Sequence, residues 1–182
     1  GACDAGDNDA DNDGSNNCDQ NSENSFPETV VDIDGNIYGT ILFGDQLWMA
    51  ENLRVSHYNN GNNISTGLSS GQWSSTSDGA YAISNGGFLY NWAAVNDQRG
   101  VCPDGWHVPT DEDFIKLEIA VGMNESEANN TGDRGVEDGI GSALAGGDSW
   151  SNNVIIEHAA FGESGFDGVP NGYRTNQGSY YN

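Results

Sequence analysis

Two prolines bracket the segment that most constrains this chain, Val101-Cys102-Pro103-Asp104-Gly105-Trp106-His107-Val108-Pro109, which runs into Thr110-Asp111-Glu112-Asp113-Phe114. Its apolar residues read as a buried strand, stopped by a proline that has no N–H to give to a ladder. A capped helix follows. Thr110 is an N-cap with Asp113 at the third helical position, Phe114, Leu117 and Val121 recur at helical spacing, and Gly122 ends the run. A helix joined this closely to a strand must share a core with the other apolar segments, so the expected fold class is α+β.

Those other segments are short and flanked by turn residues. Thr29 to Ile33, an Asp34-Gly35 turn and Ile37 to Phe43 predict a hairpin, and Gly44-Asp45 turns into Gln46 to Ala50 to complete a three-strand meander. Residues 56–86 read as polar loops pinned by Tyr58, Ile64, Leu68, Trp73 and Tyr81. Residues 88–95 read as one buried segment, 124–138 as an exposed loop, and Ile140 to Leu144 as a second short helix. Trp48, Trp92 and Trp106 are expected in the core, whereas Trp73 and Trp150 lie among Ser, Asn and Gly and are expected at the surface. Residues 26–182 form the domain. Residues 1–25 hold almost no apolar side chain and read as an acidic tail without a core of its own.

Charge removes several classes of partner. Five basic against 28 acidic residues leave a net charge of −23, which repels phosphate backbones and anionic membranes. Nucleic acid is not expected, and metal cations are the natural counter-ions. No run has the length of a membrane-spanning helix and no signal peptide is visible, so the sequence reads as a mature form.

The tail carries the clearest candidate metal site. Asp9, Asp11, Asp13 and Gly14 stand at positions 1, 3, 5 and 6 of a calcium loop, where alternate carboxylates point inward and the glycine permits the sharp turn. The Ser15 carbonyl and Asp19 are further ligand candidates. Position 12 is Gln20 and not the bidentate glutamate of an EF-hand, and the pattern is more similar to the Asp-rich repeats of thrombospondin type 3. A solvated acidic linker is the competing reading. Cys3 and Cys18 flank this loop and can close it as a disulfide in an oxidising compartment, leaving Cys102 unpaired.

Elsewhere the chemistry is sparse. His57, His107 and His158 show no metal-ligand spacing, and no nucleophile elbow or phosphate loop is present. Glu51, Asp111, Glu112 and Asp113 are candidates for paired carboxylates. Their plainer roles are satisfying turn amides (Glu51) and complementing a helix dipole (Asp111 and Asp113). Asn63, Asn124 and Asn129 begin glycosylation sequons in expected loops. Trp73 and Trp150 are the candidates for stacking on a sugar ring.

Taken in order, Asp32-Ile33-Asp34-Gly35-Asn36-Ile37-Tyr38, Gln46-Leu47-Trp48-Met49-Ala50-Glu51-Asn52-Leu53, Gly87-Phe88-Leu89-Tyr90-Asn91-Trp92, the 101–114 segment, Glu163-Ser164-Gly165-Phe166 and Pro170-Asn171-Gly172-Tyr173-Arg174 resemble one family. It is the Fibrobacter succinogenes major paralogous domain, a module of secreted and surface proteins of Bacteroidetes, Fibrobacteres and similar bacteria. The resemblance implies an extracellular or cell-surface location and a C-type-lectin-like, β-rich architecture with one or two short helices. The Trp106 to Asp111 run is also similar to one in the formylglycine-generating enzymes. Their two copper-binding cysteines near the C-terminus have no counterpart here, so the resemblance carries the fold and not the reaction. It further implies a partner for Cys102 in a strand beyond Gly172-Tyr173-Arg174, and the chain is expected either to be a fragment or to have dispensed with that region. Two functions are then expected. One is a non-enzymatic structural or adhesive protein, a homo-oligomer or homopolymer in which the segment from Phe26 to Ile33 adds a strand to a neighbour. The other is a calcium-supported carbohydrate-binding module.

Overall fold

The computed structural model of the chain describes residues 27–84, 87–147, 149–151 and 153–181. It begins with an antiparallel meander in the order β1-β2-β3, formed by Thr29–Val31, Ile37–Phe43 and Gln46–Met49. Val31 pairs with Ile37 and Phe43 with Gln46. Strand β1 stops at Val31, two residues earlier than the apolar run suggests, because Asp32 takes the turn over. Its Oδ1 accepts the N–H groups of Asp34 and Asn36, both at 2.9 Å, and its Oδ2 accepts Asn36 Nδ2 at 2.9 Å and the Tyr38 hydroxyl at 2.6 Å. A carboxylate that is only 7 % exposed is thereby fully satisfied. The tighter β2–β3 turn has Gly44 at its first central position with φ of 59°, as a two-residue hairpin loop of this kind requires.

Residues 56–86 are less irregular than their composition suggests. Tyr58, Ile64 and Tyr81 are buried as expected anchors, and Trp73 is buried with them. Between them, however, helix α1 (Ser70–Ser75) forms behind a Ser69–Gln72 capping box, and β4 (Tyr81–Ser84) pairs with β5 (Gly87–Tyr90). Asn91 then splits what reads as one segment. Its Oδ1 accepts from Ala80 N and Ala94 N, both at 2.9 Å, which ends β5 and caps α2 (Trp92–Val95). Helix α2 buries only Ala94, so Trp92 at its first position is 75 % exposed and the expectation of a core tryptophan fails there.

Residues 101–109 form no strand. Pro103 and Pro109 lack donors, and the N–H of Trp106 closes a turn on Pro103 O (2.9 Å) with Gly105 at φ of 82°. Val101 is buried, Trp106 half-buried and Val108 exposed. Helix α3 (Asp111–Val121) follows as predicted, with a reciprocal Thr110–Asp113 capping box and a left-handed Gly122 at its C-terminus. The acidic stretch after it contains helix α4 (Glu125–Ala128), whose Ala128 packs with Met123 and Ile140. Helices α5 (Ile140–Leu144) and α6 (Asn153–Ile156) precede a small hairpin of β6 (Tyr173–Arg174) and β7 (Tyr180–Tyr181). The molecule is thus a β-rich α+β domain of small sheets and short helices. Its buried side chains divide among four clusters in place of the one core expected, because no sheet is wide enough to carry a continuous apolar face.

Candidate functional site

The failure of residues 101–109 to join a sheet leaves an opening beside them. A groove of about 650 Å³ runs between β3, the stretch that follows it and the start of α3. Trp48, Leu53, Val101, Trp106, Phe114 and Phe166 make it apolar, and Pro27 lies at its margin. The Trp48 ring packs on Phe114 at 5.3 Å and on Phe166 at 5.8 Å, so part of the lining is rigid aromatic surface. Trp106 stays half-buried because one side of it faces this space. The backbone N–H and C=O groups of His107 and Val108 have no hydrogen-bond partner among the described residues. An apolar trough flanked by backbone groups unpaired among the described residues is a surface on which an extended segment can dock.

The polar margin of the groove is pre-ordered. Asp113 accepts Gln46 Nε2 at 3.0 Å, Thr110 N at 2.8 Å, Thr110 Oγ1 at 2.7 Å and faces His107 Nε2 at 3.1 Å. The Thr110 hydroxyl first, then its N–H and His107, hold the Asp113 carboxyl well below the usual carboxylate range. Glu51, also on the margin, is lowered by Arg54 (Nη1 at 2.9 Å) and by the Gly39 N–H at 3.2 Å. A general acid needs its pKa raised, and both groove carboxylates are pushed the other way. Asp111 is engaged by Arg134, and Glu112 is exposed beside Lys116. Cys102 lines the groove as a free, half-buried thiol whose pKa is raised by burial, which marks it as unreactive in comparison with an activated cysteine.

One grouping escaped the linear reading. Asp34, Ser56 and His57 meet: Ser56 Oγ donates to Asp34 Oδ2 at 2.7 Å, and His57 Nδ1 lies 2.5 Å from Asp34 Oδ1 and 3.1 Å from Ser56 Oγ. In a hydrolytic triad the serine and the carboxylate occupy opposite imidazole nitrogens. Here both crowd Nδ1, so the group clamps the β1–β2 turn to residues 56 and 57. No local motif announces it, because the partners stand 23 positions apart.

The remaining sequence candidates are dispersed. Asp9, Asp11, Asp13, Ser15 and Asp19, with Cys3 and Cys18, lie outside the described residues. Among the described residues no group of three or more His, Cys, Asp or Glu side chains is arranged to hold a metal. Asn63, Asn124 and Asn129 are exposed, the last two at the ends of α4. Trp73, expected at the surface, is only 8 % exposed. Arg174 covers its ring at 4.3 Å, and its Nε1 donates to Thr175 O at 3.0 Å, so the face a sugar would stack on is taken. Trp150 is half-buried and bonded to Gly168 O at 2.9 Å. Both side chains are held by residues remote in sequence, Trp73 by Arg174 and Thr175 and Trp150 by Gly168.

All four arginines are committed internally. Arg54 and Arg99 lie over Tyr38 and Tyr58, Arg134 bridges Glu118 and Asp111, and Arg174 sits between Trp73 and Tyr180. Lys116, on α3, lies 4.0 Å from Glu112. No helix among the described residues is long and apolar enough to cross a membrane.

Fold and groove define a small α+β domain with an acidic exterior and an apolar trough beside α3. Residues 41–182 match the family model of the Fibrobacter succinogenes major domain, and the chain belongs to that family. The match opens within β2, so β1 and the Asp32 turn lie upstream of it. No curated protein and no solved structure matches the chain significantly.

Proposed function

We propose that this protein is a non-enzymatic extracellular structural or adhesive module, a subunit of a self-assembling surface fibre, built on a C-type-lectin-like architecture. The observation that carries the reading is the apolar groove, flanked by backbone groups of His107 and Val108 that have no partner among the described residues. A neighbouring subunit fills it with the segment that precedes its own Pro27. Such a head-to-tail contact propagates into a filament. Calcium at Asp9, Asp11 and Asp13, with Ser15 and Asp19 completing the site, neutralises the tail and stiffens the joint. β1 itself is not the donated strand, since Val30 pairs with Tyr38 at home. Light scattering and electron microscopy on the full chain with calcium test this reading. Concentration-dependent filaments that vanish on removal of residues 1–26 support it, and a protein that stays monomeric at high concentration overturns it.

A second reading, a calcium-supported carbohydrate-binding module, draws on one observation. Tyr173 and Tyr181 are 60 % and 53 % exposed, and their rings stack at 5.4 Å with an interplanar angle of 16°. Exposed rings of this kind are where a sugar would stack, in place of Trp73 and Trp150. Saccharide binding on a glycan array that disappears in Tyr173→Ala supports it; binding unaffected by that change removes it.

A further inference from the structure

We infer that a second cavity binds neutral sugars, with Asn52, Ser149, Asp167 and Asn171 as its hydrogen-bonding groups. It shares the ligand class of the carbohydrate-binding reading but not its site, although only Gly172 separates Asn171 from Tyr173. The cavity, of about 630 Å³, opens between the end of β3, the start of β5 and residues 166–171. Small-molecule sites commonly measure about 300–1,000 Å³. Phe166, Val169 and Pro170 give this one an apolar wall.

Two glycines shape it. A Cβ at Gly87 would lie 2.2 Å from Asn171 Nδ2, and a Cβ at Gly146 would lie 2.2 Å from Asp167 Oδ1. Only a residue without a side chain leaves these two polar groups their places. The loop that carries them is pinned. Gly168 N donates to Leu144 O, Gly146 N donates to Gly168 O, and Trp150 Nε1 donates to the same Gly168 oxygen, each at 2.9 Å. Asp167, with φ of 53°, is the one non-glycine residue at positive φ among the described residues, and backbone held in that region recurs at ligand sites.

The polar groups of the cavity are unspent. Asn52, Ser149, Asp167 and Asn171 make no side-chain hydrogen bond among the described residues, whereas Glu51 and Arg54 on the same wall pair with each other at 2.9 Å. Asp167 is exposed and Asn171 half-buried, so a ligand reaches both. The two amides and the serine hydroxyl both give and accept hydrogen bonds, and the Asp167 carboxylate only accepts. An amine would leave the amide N–H groups idle. An anion would face the unpaired Asp167 in a chain of net charge −23. Neighbouring sugar hydroxyls, each donor and acceptor at once, use the whole set, and the apolar wall meets the C–H face of the ring.

The test uses the full chain in calcium buffer, diluted until light scattering shows monomers. An array of neutral and acidic saccharides comes first, then calorimetry with the neutral saccharide that binds best. Asp167→Asn keeps the size of the side chain and tolerates the same backbone, and Asn171→Ala removes no hydrogen bond of the fold. Each is expected to weaken binding about tenfold, with circular dichroism and melting temperature unchanged. No binding by the parent, or binding of acidic saccharides only, overturns the cavity as a neutral-sugar site. Parent affinity in both variants does so too, and Tyr173→Ala then decides the tyrosine reading by itself. Weakening in the two cavity variants with parent affinity in Tyr173→Ala supports the cavity and removes the tyrosine pair.

Discussion

Asp34 shows how single side chains tie distant parts of this fold together. Its modest burial raises the carboxyl pKa, but the Ser56 N–H, the Ser56 hydroxyl and His57 outweigh that and leave it below its usual 3.8. A depressed folded-state pKa contributes stability that is present above the unfolded value and is lost as pH falls through the folded one. The clamp should therefore hold fully at neutral pH and release below about pH 4. Urea unfolding of Asp34→Asn should show a flatter loss of stability below that pH than the parent; equal slopes would count against the clamp. The tryptophans divide just as sharply. Trp48→Ala removes a buried ring and should cost about 3–5 kcal/mol, whereas Trp92→Ala, at a 75 % exposed position, should lie within about 0.5 kcal/mol of the parent. Chemical denaturation of the two variants side by side checks the reassignment of Trp92 to the surface.

Helices and hairpins here are short, and each depends on one or two specific ties. The β6–β7 hairpin has two residues per strand and cannot stand alone. Arg174 holds it, stacking between Trp73 and Tyr180 and donating to Leu68 O at 3.0 Å and Gly178 O at 3.3 Å. Gly178 meets α1 so closely that a Cβ there would lie 2.5 Å from the Cα of Ser70. Arg174→Ala should cost about 1–3 kcal/mol and speed amide exchange across residues 173–181 while α3 keeps its protection. Uniform loss of protection would instead show that the hairpin and α3 open together.

Across the molecule, the meander opens the described part of the chain. Deleting residues 1–26 should change the melting temperature little. Deleting residues 1–33 also removes β1 and Asp32, leaving the buried Tyr38 hydroxyl without its acceptor, which alone costs about 1–3 kcal/mol. Thermal unfolding of the two truncations should therefore differ clearly, with the longer deletion much less stable. If both melt alike, β1 is not an integral strand, and donation of the whole segment from Phe26 to Ile33 becomes possible again.

What the sequence determined by itself is local. The α3 helix with its Thr110–Asp113 box and Gly122 stop, the Gly44 turn and the α5 helix follow from contacts within a few residues, which any neighbouring structure leaves in place. The net charge of −23 is likewise a sum over the chain, indifferent to fold. Burial is not local. Trp73 sits among serines yet is sealed by Arg174, a hundred residues on, and Trp92 sits in an apolar run yet faces solvent because Asn91 starts a new helix. The groove belongs to the same category: it exists because residues 101–109, apolar enough for a strand, turn at Pro103 and pair with no strand among the described residues. Only the tertiary structure decides this, since a strand is made by its partner and not by its own residues.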